Sequence, residues 1–204
     1  MRKLKSFHFV VWTFFFTTIS ARSTAQIREQ TLHELNQLLI NTVMDDAFTP
    51  MVACRIYTYP NIAFYECIRQ QEPSYASLGG KLNGLTALPE PGKNTTVDLP
   101  IAAAIAFSRT AETLVGSEYK FAGWRKNYLD SLKKITDTAL VYASADYGFE
   151  IANAVIAWIK KDNYGETRAM MRFVTSNKPQ HWQPTPVDFA QGLEPHWRMI
   201  RPIT

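Results

Sequence analysis

From residue 32 onward, apolar positions recur at intervals of three and four, interrupted by short polar or Pro/Gly-rich stretches. Leu32, Leu35, Leu38, Leu39, Thr42 and Val43 trace one face of a helix, which predicts an amphipathic element from Thr31 to Asp45. Thr49 followed by Pro50 predicts an N-cap and a first helical residue. The second helix, about residues 50–70, is apolar on more than one face (Met51, Val52, Ile56, Tyr57, Tyr59, Ile62, Phe64, Tyr65, Ile68) and belongs at the centre of a fold. Pro60 inside it predicts a kink or a break. Arg55, Asn61 and Glu66 stand among these apolar residues; Arg55 with Glu66 could form a buried ion pair, within the chain or to a neighbouring segment, and a structural network is the expectation over a ligand-facing polar cluster. Residues 71–97 carry Pro73, Gly79-Gly80, Gly84, Pro89 and Pro91-Gly92 and read as a connection.

Asp98 is the expected cap of a third helix running to about Val115, whose Ala-rich start suggests close packing. Ser117 is the expected cap of a fourth helix through Ala139. Its apolar face holds Phe121, Trp124, Tyr128, Leu132 and Ile135, and Lys126, Lys133 and Lys134 form a solvated face. Asp146 precedes a fifth helix with Phe149, Ala152, Val155, Ile156 and Ile159, stopped by Asn163-Tyr164-Gly165. No alternating pattern argues for strands. The expected fold is all-α, a bundle of about five helices followed by a Pro/Trp-rich extended C-terminal segment. That segment places two His, two Trp and four Pro within residues 181–202. Each Pro removes a backbone donor and restricts its predecessor, so a regular helix is excluded there. The aromatics are expected to anchor the segment on the helices.

Charge changes the picture less than its total suggests. The chain of 204 residues has a formal net charge of +4, yet residues 1–25 hold Arg2, Lys3, Lys5 and Arg22 and no acid. The remaining residues, 26–204, carry 18 basic and 18 acidic side chains. No electrostatic case for nucleic acid survives. The basic start, the apolar run Phe7 to Ile19 and the small residues Ser23-Thr24-Ala25 have the form of a secretory signal peptide cleaved before Gln26. The run is shorter than a membrane span of ~20 residues. An uncleaved anchor is the alternative. The expectation is an exported protein, periplasmic or extracellular, with no membrane association after cleavage. In an oxidising compartment Cys54 and Cys67 could pair. Thirteen residues along one helix separate them by ~20 Å, beyond the ~7 Å a disulfide tolerates between Cα atoms. Both are read as small buried hydrophobes.

Candidate chemistry is sparse. There is no G-x-S-x-G, H-E-x-x-H, C-x-x-C or phosphate-loop motif. Beyond the signal segment the histidines are His33, His181 and His196, without a neighbouring carboxylate or cysteine cluster. His181 and His196 are read as imidazoles hydrogen-bonded within an aromatic turn. No catalytic, cofactor-binding or metal-ligating residue is assigned.

Several stretches together resemble one family. They are Phe48-Thr49-Pro50, Arg55-Ile56-Tyr57, Asn61-Ile62-Ala63-Phe64-Tyr65-Glu66, Tyr75-Ala76-Ser77-Leu78 with Leu82-Asn83-Gly84-Leu85, and Ala157-Trp158-Ile159-Lys160-Lys161-Asp162 with Glu166-Thr167-Arg168. Trp182-Gln183-Pro184-Thr185-Pro186, Leu193-Glu194-Pro195-His196-Trp197 and Arg201-Pro202 complete the set. This resembles the secreted vanadium-dependent haloperoxidase-related proteins of the PAP2 (phosphatidic acid phosphatase type 2) superfamily. Departures are Arg198, where relatives tend to have Gly, and Pro60. The resemblance implies an all-helical fold and a site that binds vanadate or a substrate phosphate. That site uses a Lys and Arg, a Ser-Gly-His segment, and an Arg followed by a catalytic His. Here Arg201-Pro202 has Glu194 where the Lys is expected, and Ser-Gly-His is absent. The chain is therefore expected to be the N-terminal helical region of such an enzyme, over 26–204. It would be incomplete relative to the family's fold, without the catalytic half, and without a cofactor of its own. Halide oxidation and phosphomonoester hydrolysis both remain open for the intact family. A missing or separately encoded C-terminal half is one expected partner. A non-enzymatic helical module binding a partner protein through the aromatic segment is the alternative.

Overall fold

Six helices and two short 3-10 turns account for the regular structure of the computed structural model, which describes residues 29–176 and 178–204. The signal-peptide expectation falls outside these residues. Helix α1 covers 29–45, α2 Pro50–Ile68, α3 Leu99–Glu112, α4 Tyr119–Leu132, α5 Thr138–Ile159 and α6 Tyr164–Arg168. The 3-10 turns are Arg69–Gln71 and Trp197–Met199. No strand occurs among the described residues, so the fold is all-α as the periodicity predicts. No described helix is long and apolar enough to cross a membrane.

Helix α3 sits in the middle, against α2, α4 and α5. Ala102 to Phe107 are all fully buried, and their small side chains let the neighbouring backbones approach. The closest approach is to α5. A Cβ added to Gly148 would lie 2.5 Å from the Ala102 carbonyl oxygen and 2.9 Å from Ile105 Cβ. The amphipathic face of α1 joins the same core through Leu35, Leu39 and Val43, and Asn36 and Asn61 exchange side-chain hydrogen bonds between α1 and α2.

Several boundaries differ from those expected. Helix α2 is continuous through Pro60, which is itself buried: packing on both sides outweighs the lost hydrogen bond. Thr49 occupies the N-cap position of α2, but its side chain makes no capping bond. Asp98 caps α3 as expected, accepting from the Ile101 N–H at 3.2 Å, while its own N–H donates to Ser144 Oγ of α5 at 2.7 Å. Ser117 does not cap α4. Its hydroxyl and its N–H, with the Gly116 N–H, all donate to Asp46 at the end of α1. Burial raises the Asp46 pKa, but these hydrogen bonds from Ser117 and Gly116, helped by Lys120, more than offset it and leave the carboxyl below its usual range.

The fourth helix stops at Leu132, well before Ala139, and Ile135 lies in the following turn with 82% of its surface exposed. The fifth helix starts much earlier than Asp146. Asp137 caps it through the Ala139 N–H at 3.1 Å, and Asp146 is interior to it. Of the cysteines, Cys67 is buried, and burial pushes its thiol pKa up, but Cys54 is exposed on the outer face of α2. Both are free.

Candidate functional site

A buried polar cluster lies at the end of α5. Asp162 follows the last turn of that helix and is 1% exposed. Its Oδ2 accepts from Arg55 Nε of α2 at 2.6 Å and from the Tyr59 hydroxyl at 2.9 Å, one helical turn further along. Its Oδ1 accepts from the Tyr164 N–H at 2.9 Å, and its backbone carbonyl accepts from the Arg201 N–H at 2.9 Å. One residue thus joins α2, the start of α6 and the C-terminal segment. The Asn163 backbone lies in the left-handed region with φ 71°, which makes the sharp turn between α5 and α6. Arg55 also lies over the Tyr164 ring, 4.2 Å from its centroid. Burial, together with the Asp162 charge, pushes the Tyr59 hydroxyl up to about 12.

This corrects the expected Arg55–Glu66 pairing. Eleven residues along a continuous helix separate the two by ~16 Å along its axis, too far to touch. Glu66 is fully buried and serves a different purpose: it accepts from Arg69 Nε at 2.8 Å, Ser77 Oγ at 3.0 Å and the Leu78 N–H at 2.6 Å. It clamps the 72–79 connection onto α2. The structural reading of both residues holds, but the partners differ.

Trp158, on the last turn of α5, forms the second half of the junction. Its ring meets Tyr59 edge-on at 5.1 Å between centroids, its Nε1 donates to the Asn83 carbonyl at 2.9 Å, and Arg201 lies over it at 4.7 Å. Arg201 donates to the Trp158 carbonyl at 3.0 Å and the Lys161 carbonyl at 3.2 Å. Asn83 in turn donates to the Ile203 and Pro202 carbonyls. The segment 197–203 is thereby fastened to the bundle, and Trp197 packs against the core.

The rest of the C-terminal segment behaves otherwise. Trp182 and Phe189 are half or more exposed and do not anchor on the helices. Trp182 instead meets Phe173 at 5.9 Å, and these two, with Pro186, Val187 and Leu193, line a 670 Å³ groove. His181 Nδ1 is 2.6 Å from Ser176 Oγ, and His196 Nε2 donates to the Met171 carbonyl at 2.7 Å. His181 is hydrogen-bonded locally beside Trp182, as expected, whereas His196 reaches a carbonyl twenty-five positions earlier in the chain. His33 is exposed on α1. Among the described residues no group of three or more His, Cys, Asp or Glu is placed to hold a metal ion. Lys126 and Lys133 both pair with Asp130 on the outer side of α4.

Glu194 and Arg201 decide whether the described residues suit an oxyanion such as vanadate. Glu194 faces Arg168 in a two-point ion pair, Oε1 to Nη1 at 2.9 Å with Oε2 bonded to Nη2. A carboxylate there repels an anion and consumes the nearest guanidinium. Arg201 spends both terminal nitrogens on backbone carbonyls. The residues present do not fit vanadate at this position.

No family model and no curated protein matches the chain. Among solved structures it is similar to a bacterial vanadium-dependent iodoperoxidase, with 36% sequence identity and a TM-score of 0.80. The match covers 85% of this chain and 42% of that one, so the chain spans less than half the length of the protein it matches.

Proposed function

The chain is a vanadium haloperoxidase-related protein, and from that premise we propose that these 204 residues are an exported helical scaffold of the family, corresponding to its N-terminal region, with no turnover of their own. The observation that carries this is the Glu194–Arg168 pair, together with an Arg201 already bound to carbonyls. Where the family resemblance calls for cations around an oxyanion, this chain presents a neutralised ion pair and a structural arginine. In the intact family, vanadate supplies the group that activates peroxide for halide oxidation. Here the chain's own residues hold helix ends and loops together.

The test is direct. The purified chain is assayed with vanadate and peroxide against iodide and bromide, and without vanadate against a phosphomonoester. No turnover above buffer is expected, and turnover of any of the three substrates overturns the reading. Export is tested separately by N-terminal sequencing of the protein recovered outside the cytoplasm, with Gln26 as the expected first residue.

A second reading rests on the groove at Phe173, Trp182 and Leu193. A helical module could use it to hold a partner protein, and the separately made remainder of the family's fold is one such partner. Co-expression with the C-terminal half of a haloperoxidase relative distinguishes the two. A co-purifying complex with restored halide oxidation favours the split-enzyme form of this reading.

A further inference from the structure

A second cavity, of 460 Å³, opens between the outer face of α2 and the fastened end of the chain. Arg55 and Tyr59 line one wall, and Trp197, Arg198, Arg201 and Ile203 line the other. Three arginines thus border one cavity, and the carboxylate bonded to any of them is Asp162, which takes Nε of Arg55. Arg198 is exposed and engages no acceptor among the described residues. Arg201 Nε is shut off from solvent without any acceptor, although both of its terminal nitrogens are satisfied. Neither Arg198 nor Arg201 has a carboxylate partner among the described residues, so the cavity lining carries uncompensated positive charge that an anion complements. Apart from Thr58, the rest of the lining is apolar or aromatic. A small inorganic anion would use the charge and leave those walls wet, whereas an organic acid uses both.

We propose that this cavity binds a carboxylate carried on an apolar or aromatic body, its charge held among Arg55, Arg198 and Arg201 and its body against Trp197 and Ile203. The carboxylate could belong to a free small acid or to an acidic residue of a polypeptide. The inference shares Arg201 with the proposed lack of turnover but is read by ligand binding and by Arg198, so either can fail while the other stands.

Titration of the full chain with phenylacetate at low ionic strength, followed by tryptophan fluorescence and calorimetry, tests it. Saturable binding with a dissociation constant on the order of 1 mM or tighter is expected. Uncharged phenylacetamide is expected to bind at least about tenfold more weakly, and Arg198→Glu to weaken phenylacetate binding by about tenfold or more. Arg198 holds nothing else in place, so this variant keeps its fold, and an unchanged thermal melt verifies that. A short blocked peptide, acetyl-Phe-Glu-Phe-amide, forms the second arm. If it binds more tightly than phenylacetate, with the same dependence on Arg198, the carboxylate comes from a polypeptide; the reverse order points to a free acid. Absence of saturation by both probes overturns the proposal. So does binding indifferent to Arg198→Glu, equal binding of phenylacetamide, or equal binding of inorganic phosphate.

Discussion

Asp162 shows how much one side chain can be asked to hold. It receives Arg55, Tyr59 and a backbone N–H in a nearly dry site, where a lone guanidinium is expensive. Replacing it by Ala leaves Arg55 buried without its charge partner, and a loss of about 3–5 kcal/mol in unfolding free energy is expected from urea melts. The double variant Asp162→Ala with Arg55→Met should recover part of that loss, because it removes the unpaired buried charge. Alkaline pH probes the same junction. The hydroxyls of Tyr59, Tyr128 and Tyr147 are each raised to about 12, in every case chiefly by burial. A raised folded value means the folded chain keeps these protons longer than the unfolded chain does. Their contribution is fully present below pH ~10, the unfolded value, and is lost as pH rises through about 12. Unfolding free energy should therefore fall across pH 10–12. Absorbance at 295 nm should show these tyrosines ionising only as near-ultraviolet dichroism collapses. Ionisation of all nine tyrosines near pH 10 in a folded chain would contradict this.

Helix contacts depend on where size is permitted. Gly148 lets α5 press against the Ala102 carbonyl of α3, and Gly148→Ala forces the two helices apart. A cost of about 1–3 kcal/mol is expected, read as a lower denaturation midpoint. Gly123 on α4 is the control, since a Cβ there meets nothing within 4 Å. Gly123→Ala should stabilise by about 0.5–1 kcal/mol through helix propensity alone. The Ala-rich start of α3 announced close packing in the sequence, and it is found there. Which residue of α5 would meet it was not legible, because the 3.6-residue period names a face and not its opposite number. For the same reason Arg55 and Glu66 read as a pair by character, while helix geometry separated them and tertiary contacts supplied Asp162 and Arg69. The caps at Asp98 and Asp137 are local and appear in the chain's own pattern. The replacement of Ser117 by Asp46 at the start of α4 is a contact between residues about seventy positions apart, which no local rule contains.

Taken together, the described residues divide into a bundle with a fastened tail end and an intervening segment that bears half of their exposed large hydrophobic side chains. Met171, Phe173, Val174, Trp182, Val187, Phe189 and Leu193 are all exposed, while Trp197 and Arg201 are tied to the core. Limited trypsin treatment should cut first at Arg172 and Lys178, both exposed in this segment, and leave the 29–168 bundle intact for much longer. Early cleavage within α3 or α5 would contradict the division. The exposed groove should also give the native chain measurable binding of a hydrophobic dye, lost when Trp182 and Phe173 are both changed to Ser.

The helical class, the central place of α2, the close packing of α3 and the resemblance to haloperoxidases are all readable from the amino-acid sequence. They rest on periodicity, composition and short motifs, which are properties of neighbouring residues along one chain. The expectation that Arg201-Pro202 is not part of an oxyanion site also begins there, with Glu194 in place of a lysine. Only the tertiary structure decided that Glu194 is locked to Arg168, that Arg201 is a clasp on Trp158, and that Trp182 and Trp197, alike in sequence, have opposite fates. Those outcomes depend on which distant groups come within hydrogen-bonding reach once the helices pack, and side-chain spacing along the chain does not encode that distance.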